Sequence, residues 1–239
     1  MSVTTQNITK PKFILLDIEG TTTSISFVHD VLFPYSYERM SDFIRGNAHQ
    51  TEVKKAVSEV REIVEREEGR TSLSQDEIIQ RLKAWIREDR KIPPLKAIQG
   101  MIWELGYENS DYRSHLYEDV FESLKAWKKA GVEIGIYSSG SVRAQKLLFR
   151  YTVNGDVTPF LSFFFDTQVG AKREEDSYRK ISQDLQASPH EILFLSDVPQ
   201  ELDAASAVGF LSCLVVREGG ENLNHPHHKV IQSFDEIQF

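Results

Sequence analysis

The sequence predicts an α/β protein: a doubly wound parallel-sheet core, split after its first strand by an inserted α-helical cap. Three observations carry that expectation. A continuous apolar run, Phe13 to Leu16, ends in Asp17 and, two residues on, Glu19. A long stretch of purely helical periodicity follows. From Tyr117 onward, amphipathic helical segments alternate with short apolar runs, which implies parallel strands joined by helices.

Each element has its own justification. "FILLD" is apolar without alternation, as in a strand buried on both faces. In "EVKKAVSEVREIVEREE", residues Val53, Ala56, Val57, Val60 and Val64 share one helical face. "SQDEIIQRLKAWIRED" repeats the pattern with Ile78, Leu82, Trp85 and Ile86, and Ser74 with Glu77 fits a capping box. "PPLKAIQGMIWELGY" reads as a further helix, with Pro94 in its first turn and Gly106 near its end. "YEDVFESLKAWKKAG" is an amphipathic helix closed by Gly131. Then come the strand "VEIGIY", the helix "SVRAQKLLFRY", the strand "LSFFFD", the helix "EDSYRKISQDL", the strand "EILFLSD", the helix "QELDAASAVG" and the strand "FLSCLVV". The core domain should therefore comprise residues 1–22 and 113–239, and the helical cap residues 23–112.

Composition narrows the classes. The chain has 239 residues, 40% apolar and 27% charged, ordinary for a globular protein. A formal charge of -8, with no basic stripe interleaved with aromatics, argues against nucleic-acid binding. The single cysteine, Cys213, excludes an internal disulfide and sits in an apolar run, so it reads as a core thiol. No apolar stretch reaches membrane-spanning length. The opening "MSVTTQNITK" lacks a signal peptide's apolar middle and reads as a frayed end. A cytoplasmic monomer acting on a small molecule is expected.

In open parallel sheets, ligands bind beyond the carboxyl ends of the strands. Those ends carry Asp17 and Glu19, then Ser138, Ser139 and Gly140, then Lys172 in a loop ahead of a helix, then Asp197 with Glu201 four residues later. Several carboxylates in one place repel unless a cation joins them, and hard oxygen ligands suit Mg2+. Ser138 and Ser139, with the amides before the helix at Ser141, suit phosphate oxygens. Lys172 suits an anionic transition state. Singly, each has a plainer reading: Asp17 as a turn former, "SSGS" as a helix cap, Lys172 as a solvated lysine, Asp197 as a cap. The ordered set points to phosphoryl chemistry with an aspartate nucleophile.

The same order resembles the haloacid dehalogenase superfamily of phosphatases, whose four motifs are matched by "DIEGTT", "YSSGS", Lys172 and "LSDVPQE". One position departs: the second acid of the first motif, usually aspartate, is Glu19. With the longer stretches "LLDIEGTTTSISFVHDVLFPY" and "FFFDTQVGAK", the chain is similar to the enolase-phosphatases of methionine salvage, also called acireductone synthases. That resemblance covers Lys12 to Val216 and is weaker through the helical insert. It implies enolisation and then Mg2+-dependent dephosphorylation of 2,3-diketo-5-methylthiopentyl 1-phosphate. It further implies Asp17 as nucleophile and metal ligand, Glu19 as acid/base and metal ligand by side chain or backbone, and Asp197 as metal ligand. Glu201 would reach the metal through water, Ser138 and Ser139 would hold phosphate, and Lys172 would hold phosphate and steady Asp17. The insert would select the leaving group, with His29, Phe33 and Tyr35 as substrate contacts or packing residues. "NHPHHK", with His225, His227 and His228, reads as a solvated loop. Two rivals stand beside this reading. One is a related phosphatase without the enolase step. The other is a phospho-accepting signalling domain, against which the acid on the first strand and the large insert argue.

Overall fold

The structure, a computed structural model, describes residues 6–7, 9–217 and 225–239. The chain divides into two compact units, Met1–Ile25 with Arg113–Phe239, and Ser26–Tyr112. In chain order, β1 (Gln6–Asn7) and β2 (Phe13–Leu16) come first. A π-helical segment, Phe27–Leu32, runs into α1 (Phe33–Gly46), and α2 (Thr51–Glu68), α3 (Gln75–Arg87) and α4 (Pro93–Glu108) follow. Then come α5 (Glu118–Lys129), β3 (Glu133–Tyr137), α6 (Val142–Arg150), β4 (Phe163–Phe165), α7 (Glu175–Asp184), β5 (Ile192–Ser196), α8 (Pro199–Val208), β6 (Leu211–Val215), β7 (Lys229–Ile231) and β8 (Ile237–Gln238). Among the described residues, no helix is long and apolar enough to cross a membrane.

Six parallel strands form the main sheet in the order β4-β3-β2-β5-β6-β7. The chain winds from β2 out to β4 and then returns to the other side of β2, so the order reverses at β2, where such sheets open a crevice. The unbroken apolar run of β2 has a direct cause. Ile14 and Leu16 join one buried cluster with Val120, Trp127 and Phe149, while Phe13 and Leu15 join another, on the opposite face, with Tyr137, Tyr178 and Phe194. Cys213 lies in the first of these clusters, and burial pushes its thiol up to about 12, which makes it inert as a nucleophile. Gly131, at φ 78°, closes α5.

The sequence gives no hint of β7 or of the short β1–β8 pair. In "MSVTTQNITK", residues 1–5 and 8 lie outside the described residues, but Gln6 and Asn7 pair in parallel with Ile237 and Gln238, so those two are strand rather than frayed chain. The sequence reading put the end of the first segment after Thr22. Instead Thr23 and Ser24 belong to the sheet unit, because the Thr23 hydroxyl donates to the His115 carbonyl at 2.7 Å and the Ser24 amide to His115 Nδ1 at 3.1 Å.

The second unit is helical throughout, around Met40, Ile44, Val60, Leu82, Trp85 and Ile98. The capping box at α3 is present: the Glu77 amide donates to Ser74 Oγ at 3.3 Å and the Ser74 amide to Glu77 Oε2 at 2.9 Å. Gly106 lies near the end of α4, as the sequence suggests, inside its last turn and under two tyrosine rings. A Cβ there would stand 2.7 Å from ring carbons of Tyr112 and Tyr35. Gly106→Ala should gain about 1 kcal/mol of helix propensity but lose roughly 1–3 kcal/mol to overpacking. Aromatic rings yield poorly, so a net loss of stability is expected in urea unfolding; a stabilised variant would show that the rings move aside freely.

Candidate functional site

The register of β2 with its neighbours fixes what meets at the strand ends. Leu16 pairs with Ile136 on one side and Leu195 on the other, so Asp17 comes level with Tyr137 and Ser196. The Asp17 amide donates to the Leu195 carbonyl at 2.9 Å, extending the ladder by one residue. Past Asp17 the chain folds into a tight turn. The amides of Thr21, Thr22 and Thr23 all point at the Ile18 carbonyl, and Gly20, at φ 72°, supplies the left-handed step. The Asp197 carboxylate lies directly against the Gly20 α-carbon, so a side chain at position 20 would collide with it.

Lys172 reaches into this place from the loop before α7. Its Nζ is 2.6 Å from Asp17 Oδ1 and 2.6 Å from Glu201 Oε2, and only 9% of the lysine side chain is exposed. Burial lowers the Lys172 ammonium, but the charges of Asp17 and Glu201 outweigh it and hold it above the ordinary lysine value. Asp17 Oδ1 also accepts from the Ile18 amide at 2.7 Å. Asp17 Oδ2 has only a long contact, 3.4 Å, with the Ser196 hydroxyl. That hydroxyl has one proton and a nearer acceptor, Glu201 Oε2 at 3.0 Å, while its oxygen accepts from the Val198 amide at 3.1 Å. Glu201 stands in the first turn of α8, where the helix dipole favours a carboxylate. Its carboxyl is nonetheless raised, by burial first and then by Asp17, against the pull of Lys172.

Asp197 is the unbalanced group. Its Oδ1 is buried without a hydrogen-bond partner. Burial, followed by the charge of Asp17, pushes its carboxyl up to about 7. An orphaned anionic oxygen beside a second carboxylate fits a cation. Among the described residues no three His, Cys, Asp or Glu side chains form a ready cage. Two carboxylates with water and a substrate oxygen are the habit of Mg2+, so the donor set suits that ion.

The two serines flank this centre. Ser138 follows β3, is buried, and its Oγ accepts from the Gly140 amide at 3.2 Å. Ser139 is half-buried in the same turn, and Ser141 caps α6 through the Ala144 amide. Glu19 is half-buried in the turn after β2, its backbone bridged to Thr23. Thus Asp17, Lys172 and Glu201 are in contact and Asp197 adjoins them through Gly20. Ser138, Ser139 and Glu19 stand on the neighbouring turns. Glu201 is held by Lys172 and by the Ser196 hydroxyl.

Several residues escaped the sequence reading. Ser196 sits inside the quoted "LSD", and strand register alone marks it as the neighbour of Asp17. Gln145 bridges the Gly140 and Phe165 carbonyls at 2.8 and 2.9 Å, tying the serine turn to β4. Asp166 accepts from the Val142 amide at 3.4 Å, so one of the α6 amides is already engaged. "NHPHHK" is not simply solvated, although its Asn224 lies outside the described residues. His228 is buried, with Nε2 2.9 Å from Asp203 and Nδ1 3.2 Å from Ser212.

The chain is similar to several known proteins. A family model for haloacid dehalogenase-like hydrolases matches residues 11–209. Enolase-phosphatase E1 of Methylococcus capsulatus is 47% identical over 94% of this chain and 96% of its own. The protein of the same name from Aquifex aeolicus is 50% identical over 88% of this chain and 92% of its own. The crystal structure of the UTR4 protein of Saccharomyces cerevisiae superposes with a TM-score of 0.79 at 33% identity, covering 94% of this chain and 99% of the other.

The raised Asp197 carboxyl has a consequence for stability. An unfolded aspartate, near 3.8, ionises well before the folded one, near 7. Between those values the folded state holds the extra proton, so this group's contribution falls as pH rises through the window and is gone above it. In chelator, the melting temperature of the parent should fall more steeply from about pH 5 to pH 7 than that of Asp197→Asn. Parallel slopes in the two proteins would mean that Asp197 titrates like an exposed carboxylate.

Proposed function

The chain belongs to the haloacid dehalogenase-like hydrolases, and within them to the enolase-phosphatases, and from that premise we propose that it converts 2,3-diketo-5-methylthiopentyl 1-phosphate to acireductone. The chemistry is enolisation followed by dephosphorylation, as a step of methionine salvage. The observation that carries the reading is the buried contact of Lys172 with both Asp17 and Glu201 at the end of the central strand. A lysine there pins one oxygen of Asp17 and leaves positive charge where a phosphoryl group would arrive.

In this reading Asp17 is the nucleophile. Oδ1 is restrained by Lys172 and Ile18, so the more lightly held Oδ2 attacks phosphorus as the phosphorus–oxygen bond to the enol breaks. Glu19 donates the proton that the leaving oxygen takes up. It then removes a proton from the water that cleaves the acyl phosphate, which returns Asp17 and inorganic phosphate. Ser138 and Ser139 hold the phosphate oxygens. Asp17 and Asp197, with Glu19 through its side chain or backbone, would hold Mg2+. When bound, that ion offsets the phosphate charge. The substrate is a small phosphate ester, and the chemistry resides in the sheet unit.

Three outcomes are expected. Chelation should abolish phosphate release, and Lys172→Ala should lower it by roughly a hundredfold, the usual loss for one preorganised charge. A Lys172→Ala enzyme at the parent rate would make that lysine structural. Asp17→Asn separates the half-reactions. Enolisation needs an anchored phosphate but no attack on phosphorus, and asparagine is a very poor nucleophile. The variant should therefore convert the diketo phosphate to its conjugated enol, seen by ultraviolet absorbance, while almost no phosphate appears in the same sample. Phosphate release near the parent rate would remove Asp17 as nucleophile. Loss of both signals would give Asp17 a part in the enolisation as well.

A further inference from the structure

Lys172 lies in a connection without regular structure, between the three-residue strand β4 and α7. The lysine side chain has four rotatable carbons and starts from irregular backbone, yet its Nζ meets two carboxylates at 2.6 Å each. Something must hold the backbone. Three successive carbonyls of the loop each accept a hydrogen bond from a buried side-chain hydroxyl. Tyr137 donates to Gly170 at 3.0 Å, Ser177 to Ala171 at 2.7 Å, and Tyr178 to Lys172 itself at 2.6 Å. All three donors are at most 1% exposed. The exposed Lys180 adds a fourth bond, to the Val169 carbonyl at 3.2 Å.

The donors are themselves fixed. Tyr137 is the last residue of β3, beside Asp17 in register, and Ser177 and Tyr178 stand in the first turn of α7. The Tyr137 and Tyr178 rings meet edge to face at 5.7 Å, and each also packs on Phe194 of β5. The Tyr137 and Phe194 rings in turn flank the lysine, each with its centroid 5.8 Å from Nζ. Burial holds both phenols above the usual tyrosine range, so both remain donors. Gly170, at φ 147°, lies so close to Ser177 that any Cβ there would strike its hydroxyl. A carbonyl that is held fixes its peptide plane, and with it the direction in which the adjoining side chain leaves the backbone.

We propose that Tyr137, Ser177 and Tyr178 form a hydroxyl clamp that positions Lys172, making all three positioning residues for phosphoryl transfer. They act through the lysine, by way of the loop carbonyls they hold. The proposal rests on the catalytic role given to Lys172 above. Misplacing such a group by about 1 Å costs up to roughly a hundredfold in rate, so partial loss of the clamp should cost less.

The test is a double-mutant cycle on Mg2+-dependent release of phosphate from an aryl phosphate. Tyr178→Phe keeps the ring and removes only the donor. It should lower kcat about tenfold with KM within about twofold. In a Lys172→Ala background the same change should alter kcat by less than about twofold, because no lysine remains to be positioned. Ser177→Ala should behave in the same way and carries the test alone if Tyr178→Phe does not fold. An equal proportional loss in both backgrounds would make the hydroxyls structural only and overturn the clamp, while leaving Lys172 catalytic. An unchanged kcat in the single variants would also overturn it. If Lys172→Ala alone retains the parent rate, the role of the lysine fails and the clamp fails with it.

Discussion

Everything at the site depends on one buried cation. Lys172 is enclosed between Asp17 and Glu201, and none of the three is more than about a tenth exposed. Removing one partner from such a set leaves an uncompensated charge out of water, which is strongly destabilising. The set also joins three parts of the chain that are distant in sequence: the end of β2, the loop before α7 and the first turn of α8. The ion pairs therefore demand correct sheet register. A slip of one residue in β2 would turn Asp17 away and reverse its buried faces together.

The sheet supplies that register cheaply. Every strand of the main sheet is parallel, so all the carboxyl ends fall on one edge. Asp17, Ser138 and Asp197 each stand one residue past the end of a strand, and Lys172 is brought to them by the loop before α7. The turn after Asp17 is equally economical. Ile18 and Gly20 close it on its own backbone, and Arg217 fastens it from outside, donating from Nε to the Thr21 carbonyl at 2.9 Å. Arg217 is itself buried against Asp119, 2.7 Å away, between the Tyr117 and Phe234 rings. The carboxyl-terminal segment thus steadies the first motif, although the two are separated by nearly the whole chain.

The features legible in the sequence were those with a local cause. Helical periodicity marked α2, α3 and α4, and the capping box at Ser74 was readable as a spacing. The continuous apolar run marked β2, because both its faces are covered. The site residues could be gathered only by assuming a parallel sheet, which turns separate strand ends into one neighbourhood. What stayed hidden has a non-local cause. Ser196 matters because of register, Tyr137 and Tyr178 because of where their hydroxyls land, and Arg217 because of a partner about a hundred residues away. A buried tyrosine reads as core whether or not its hydroxyl has a task.

The charge balance explains why these groups remain together. Lys172 offers one positive charge to Asp17 and Glu201, and Asp197 adds a further carboxyl with an orphaned oxygen. Left alone, the cluster is short of positive charge, and burial first, then the charge of Asp17, raises the carboxyls of Asp197 and Glu201. A core built only for stability would fill this place with apolar side chains, which is often neutral or favourable. The hydroxyls that fix Lys172 therefore matter more here than they would in an ordinary loop. A lysine free to swing away would leave three acids facing one another. Held in place, it keeps Asp17 aimed and offsets part of the negative charge gathered at the strand ends.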